Sequence, residues 1–102
     1  MDLQKQYDLL SKAFKTKRNT RVYKYERYVS VVLHGTEIAI CTEKSIRLNA
    51  GSFHTKTTKD RMNQILKILY YPAYLWQEKF VWYLAAGTDV TVLFANGIGL
   101  KR

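Results

Sequence analysis

The sequence predicts an α+β fold: an N-terminal amphipathic helix, an antiparallel three-stranded meander, one central helix and C-terminal antiparallel strands. Three observations predict it. Apolar residues alternate with period two over 22–50 and again over 74–94, as they do in half-buried strands. Between these blocks, over 58–70, the apolar period becomes that of a helix. A second helical stripe occupies 2–15. The 102 residues suit one domain, divided into a helix over 1–16, a basic linker over 17–21 and an α+β body over 22–102.

Each element has its own signal. Leu3, Tyr7, Leu10 and Phe14 recur at four- and three-residue steps and form one apolar stripe. The segment "KTKRNTR", 15–21, lacks apolar residues and reads as an exposed connection. Along 22–33, Tyr23, Tyr25, Val29, Val31 and Leu33 share one face, which predicts a single strand with both tyrosines in the core. Lys24, Glu26, Tyr28 and Ser30 share the other face. Gly35-Thr36 predicts a turn. A second strand places Ile38 and Ile40 inward, with Glu37 and Ala39 outward. Residues 42–45 predict another turn, and Ile46 and Leu48 mark the third strand. In the helix over 58–70, Met62, Ile65, Leu66 and Leu69 share a face, and Pro72 ends it. The stretch "YLWQEKFVWYLA" predicts two strands around Glu78 and Lys79. Residues 86–89 form a turn, 90–94 a β-branched strand, and Asn96-Gly97 a tight turn.

Composition narrows the function classes. Lys and Arg total 17 against 8 acids, a net charge of +9, which attracts phosphate polymers. Seven of the cations fall between residues 12 and 27, against one acid, Glu26. The single cysteine, Cys41, lies in an apolar run and is expected to be a buried, inert thiol in a reducing compartment. No apolar run approaches the length of a membrane span, so no membrane role is expected.

The densest polar stretch is "LNAGSFHTKTTKDRMNQIL", 48–66. Thr57 is expected to cap the helix, with Asp60 at its third position. Lys56, Lys59 and Arg61, with Ser52, Thr55 and Thr57, also supply the residue types of an anion site. The spacing matches no glycine-rich phosphate loop.

Taken in order, "LHGTEI", "SIRLNAGSFHTKTTKDRMNQIL", "FVWYL" and "LFANGIGL" resemble a family of small proteins of tailed bacteriophages. The resemblance spans about residues 30–100. It rests on an Asn-Ser-Gly-Gly-Trp-like stretch and a Thr-Thr-Lys-x-Arg-Met-Asn segment. Residue by residue it covers His34, Thr36, Asn49, Gly51, Thr57, Thr58, Lys59, Arg61, Met62, Asn63, Trp82 and Tyr83. Ser52 and Phe53 stand where the family has Gly and Trp, so no role resting on an indole N–H carries over. The resemblance implies a phage origin and a place of action in the cytoplasm of the infected bacterial host. It implies no particular chemistry.

No enzyme is expected. His34-Gly35-Thr36 has the His-x-Thr form of some phosphoesterases, but His54-Thr55-Lys56 does not supply the second copy that such sites need. A small acid–base pair of His34 and His54 with Lys59 ranks below a packed strand-end histidine. The acids are scattered without metal-ligand spacing, and no cofactor is expected. The remaining expectation is non-sequence-specific contact with nucleic-acid backbone. Lys17, Arg18, Arg21, Lys24 and Arg27 would form the surface, Tyr28 would stack, and Lys56, Lys59 and Arg61 would form a second contact. The competing expectation is a protein that inhibits or modulates a host nucleic-acid-processing or defence complex, with the tryptophans and tyrosines as anchors.

Overall fold

In the computed structural model, residues 1–87 and 90–102 are described. Helix α1, Leu3–Ala13, is capped by Asp2, whose carboxylate accepts the Lys5 N–H at 2.7 Å. Then come β1 (Thr20–Lys24), β2 (Val29–Leu33), β3 (Thr36–Cys41) and β4 (Ser45–Leu48). Helix α2 is Lys56–Ile68, and β5 (Ala73–Glu78), β6 (Val81–Ala86), β7 (Val90–Leu93) and β8 (Ile98–Lys101) complete the chain. Two antiparallel sheets result, one of five strands in the order β1-β2-β3-β4-β8 and one of three in the order β5-β6-β7. The α+β class, the N-terminal helix and the C-terminal strands are as the sequence predicts.

Register fixes what each face carries. Rows Val29↔Cys41↔Ile46↔Leu100 and Val31↔Ala39↔Leu48↔Ile98 run across the large sheet. They face α1 and α2, where Leu10, Phe14, Met62, Ile65 and Leu66 close the core. Leu75, Trp82 and Leu84 of the small sheet join the same cluster from beyond α2. Asn63 of α2 fastens this second layer. Its amide donates to the Leu75 carbonyl at 2.9 Å, and its side-chain oxygen accepts the Leu75 N–H at 2.7 Å. One side chain thereby occupies the hydrogen-bonding edge of β5.

Several elements depart from the sequence reading. The single strand expected over 22–33 is a hairpin: Tyr25 N–H donates to the Tyr28 carbonyl at 2.8 Å, and the chain reverses between them. The meander therefore has four strands, beginning at Thr20 inside the supposed linker. Reversal turns Tyr23 and Tyr25 out of the core, to 43% and 48% exposure. The turn placed at Gly35-Thr36 is centred on His34 (φ 49) and Gly35 (φ 81), the left-handed pair that a two-residue hairpin requires. A bulge between Val31 and Val32 shifts the register of β3. As a result Ile38 and Ala39 are both buried while Ile40 turns to the outer face, half-buried. The 86–89 turn includes residues 88 and 89, which lie outside the described residues. Asn96-Gly97 turns as expected, with Gly97 at φ 84.

Helix α2 starts one residue after Thr55, not after Thr57. The Thr55 hydroxyl accepts the Thr58 N–H at 3.2 Å and lies 3.0 Å from the Thr58 hydroxyl. Thr58 is buried, whereas Thr57 is exposed. Loss of an N-cap costs about 1 kcal/mol. Thr55→Ala should therefore lower unfolding free energy by about that amount in urea titration, and Thr57→Ala should stay within about 0.5 kcal/mol of wild type.

Cys41 is fully buried, and burial pushes its thiol up to about 12, outweighing the opposite pull of the nearby Arg102 guanidinium. The unfolded thiol ionises near about 8.5. An acid whose folded value is raised releases its proton first in the unfolded chain. Stability is therefore intact below about pH 8.5 and falls as pH rises toward 12. Urea unfolding at about pH 8 and about pH 10 should show a larger loss for wild type than for Cys41→Ala, and iodoacetamide should label Cys41 only in denaturant.

Candidate functional site

The outermost strand of the large sheet, β1, is where the cations gather. Lys17 and Arg18 precede it, Arg21 and Lys24 lie within it, and Arg27 sits in the hairpin turn beyond it; all five are exposed. Arg27, whose parity assigned it to the apolar face, is outside because the turn breaks the parity. Hydrogen bonding explains why this edge is open. Asn19 and Tyr25 pair with His34 and Tyr28 through backbone bonds at 2.9 and 2.8 Å. By antiparallel alternation Arg21 and Tyr23 also point their amides at β2. Val22 and Lys24 then direct their N–H and C=O groups away from the sheet. A groove of about 240 Å³ runs beside them, lined by Ser11, Lys15, Arg21 and Tyr23 among others.

Aromatic rings interleave these charges. Tyr23 is on the outer sheet face, in the row Tyr23↔Ser30↔Ile40↔Arg47. Arg47 of β4 is exposed, so the row begins with an aromatic ring and reaches a cation. Tyr25 stacks on Tyr28 with ring centroids 4.8 Å apart and planes inclined by 29°. Tyr28, the ring chosen from the sequence, is half-buried beneath Tyr25, which presents the more exposed surface. Sequence reasoning missed Tyr23, Tyr25 and Arg47 because their placement depends on the hairpin and on cross-strand register.

The second basic cluster divides. Lys56 is exposed at the start of α2. Lys59 is half-buried and donates to the Gln77 side chain at 3.3 Å. Arg61 is not a surface charge. At 7% exposure its guanidinium lies 5.2 Å from the Phe14 ring centroid and donates to Gln64 at 2.7 Å and to Asn19 at 3.3 Å. Its charge is spent joining α2 to the loop before β1.

The end of β2, the β2–β3 turn, the approach to α2 and its first turn enclose a pocket of about 180 Å³, lined by Leu33, His34, Thr36, Ala50, Phe53, Thr55 and Thr58. His34 N–H donates to the Asn19 carbonyl at 2.9 Å, so one lining residue is tied to the segment that follows Arg18. Its wall is tightly built. Asn49 accepts the Gly51 N–H at 2.7 Å; Asn96 accepts the Ala50 N–H at 2.9 Å and donates to the Gly51 carbonyl at 2.7 Å. Gly51 has φ 60, and a Cβ there would lie 3.1 Å from the Thr36 methyl, so a larger residue is excluded by both conformation and space. Of the positions that carry the phage resemblance, His34, Thr36 and Thr58 line this pocket, and Asn49 and Gly51 form its wall. His54 is elsewhere, edge-on to Trp82 at 4.8 Å and to Phe94 at 6.0 Å. Among the described residues, no group of three His, Cys, Asp or Glu side chains is placed to hold a metal ion, and no helix is long and apolar enough to cross a membrane.

A different surface is apolar. Tyr74, Trp76, Val81, Tyr83 and Leu93 share the outer face of the small sheet by register, and Trp76 stacks on Tyr83 at 4.5 Å. Phe80, at the tip of the β5–β6 hairpin, is 94% exposed with φ 68, an uncommon conformation for an aromatic residue.

No curated protein and no solved structure matches the chain. The family described as Kyanoviridae Gp96 protein matches residues 6–101, a span that takes in most of α1, both sheets and every residue of the pocket. The chain belongs to this family of tailed-phage proteins.

Proposed function

We propose that the protein binds single-stranded nucleic acid along β1, with little sequence preference and without turnover, in the cytoplasm of the infected bacterium. The observation that carries this reading is the exposure of Tyr23 and Tyr25 among Arg21, Lys24 and Arg27. Charge alone keeps a small protein soluble. Tyrosine rings left in water on a cationic strand have a use that charge does not explain: bases stack on them while phosphates meet the cations. Lys17 and Arg18 extend the strip at one end, and Arg47 widens it across the sheet. Phosphate contacts position a strand without reading it.

A second reading has its own support. The aromatic outer face of the small sheet, with Phe80 projecting beyond it, has the composition of a protein-binding surface. It fits a modulator of a host nucleic-acid-processing or defence complex. Pull-down from host lysate separates the two: retention of a host protein after nuclease treatment, lost in Phe80→Asp, supports this second reading.

Fluorescence anisotropy tests the first. Labelled single strands should bind at low salt and lose at least about tenfold in affinity between about 50 and 200 mM salt, because each neutralised phosphate releases counterion. The combined Lys17→Glu, Arg18→Glu, Lys24→Glu variant should weaken all sequences alike and flatten the salt slope. Tyr23→Ala with Tyr25→Ala should weaken single strands by at least about fivefold and leave duplex binding near wild type. Absence of binding to any oligonucleotide at low salt overturns the proposal.

A further inference from the structure

We infer that the pocket between the β2–β3 turn and the approach to α2 is a nucleobase site, taking one unstacked base of a strand whose phosphates meet Lys56 and Arg18. The inference rests on the proposed nucleic-acid binding and names what part of the ligand enters the protein.

Size selects the occupant. At about 180 Å³ the pocket is below the roughly 300 Å³ at which sites for drug-sized ligands begin. It holds one flat ring system and leaves a sugar and phosphate outside. Chemistry agrees with a base. Leu33 and Ala50 are buried and give an apolar floor. The Phe53 ring stands at the pocket with 59% of its surface in water, whereas Phe14 and Trp82 belong to the core and Phe94 packs against it. The polar groups are His34, Thr36, Thr55 and Thr58, and imidazole and hydroxyl groups can each donate or accept. Such groups pair with the edge of any base while the rings stack, so the preference among bases is modest.

Surroundings favour a nucleotide over an aromatic side chain of a protein. His34 is hydrogen-bonded to Asn19, next to Arg18, and Lys56 follows Thr55 directly. Arg18 and Lys56 are both exposed. A base entering here brings its own phosphates to these cations, whereas an aromatic residue brings no charge to meet them. The wall is also pre-formed: the hydrogen bonds of Asn49 and Asn96 and the left-handed Gly51 hold 49–51 in place before any ligand arrives. A site set in this way loses little entropy on binding.

The test uses the full chain and three labelled probes of equal length: a single strand of mixed sequence, the same strand with every base replaced by an abasic residue, and the duplex. The intact strand should bind at least about fivefold more tightly than the abasic one. Phe53→Ala, a change at an exposed side chain, should reduce that difference further in the Tyr23→Ala, Tyr25→Ala background as well as in wild type, while the abasic strand and duplex bind as before. In parallel, adenosine and uridine 5′-monophosphates are titrated into ¹⁵N-labelled protein, and the amides of His34, Gly35, Thr36 and Phe53 should shift. If strands bind but Phe53→Ala changes nothing and these amides do not move, the pocket is not a base site, although backbone binding stands. If no strand binds, the proposed function fails, and the mononucleotide titration decides the pocket alone: shifts confined to these amides support it, and their absence overturns it.

Discussion

Pairing of β8 with β4 is the constraint on which the rest of the structure depends. The chain leaves the large sheet after Leu48 and returns at Ile98, directly opposite. Everything between, α2 and the whole small sheet, is an excursion whose two ends meet. Closing so long a loop costs only slightly more than closing a short one, because the entropy grows with the logarithm of length. The closure is held by more than the ladder. Gly97 N–H donates to the Leu48 carbonyl, Arg102 N–H to the Lys44 carbonyl, and the Tyr71 hydroxyl to the Lys101 carbonyl. Asn96 bridges back to Ala50 and Gly51. Once the ends are joined, α2 has one place to lie, with Met62, Ile65 and Leu66 over the sheet. The same closure builds the wall of the pocket.

Local patterns were legible in the sequence, and non-local pairings were not. The helical stripes, the Asn96-Gly97 turn and the strands around Glu78 and Lys79 each rest on a few neighbouring residues, and the structure has them. The Tyr25–Tyr28 reversal was hidden because Tyr-Glu-Arg-Tyr contains none of the usual turn residues and continues the alternation on either side of it. The four charged loop and strand positions Lys17, Arg18, Arg21 and Lys24 were legible as surface. Arg61 was not, because a cation in the first turns of a helix reads as exposed until Phe14 and Asn19 are brought beside it. The pocket was half legible: His34, Thr36 and Thr58 stood out individually, and only the bulged β2–β3 pair and the closed loop bring them together.

The free edges of the two sheets are treated differently, which bears on how the basic strip is read. Exposed edges invite pairing with other chains, and charged side chains discourage it. The cations of β1 serve that purpose whether or not they bind anything. At β5 Asn63 occupies the edge, and β7 is left with Val90, Val92 and Leu93 exposed. Protection therefore accounts for Arg21 and Lys24. It does not account for Tyr23 and Tyr25, because exposed rings make an edge more adhesive. The tyrosines, more than the charge, support the proposed ligand.

Arg61 shows how the interior sets the placement of that surface. A guanidinium at 7% exposure gives up most of its hydration, and its Nε has no hydrogen-bond partner among the described residues. Burying a charge in this way is costly unless it is well paired, and among the described residues its partners are amide oxygens and the Phe14 ring. An apolar side chain would fill the space without orienting what surrounds it. What the guanidinium adds is direction. It donates to the side chain of Asn19, whose backbone carbonyl accepts the His34 N–H. One buried cation thereby fixes three elements relative to one another: α2, the loop carrying Lys17 and Arg18, and the β2–β3 turn. The net charge of +9 draws anions toward the molecule from any direction. Arg61 ties the loop that carries Lys17 and Arg18 to the β2–β3 turn through Asn19, which the loop alone, polar and without apolar anchors, would not do.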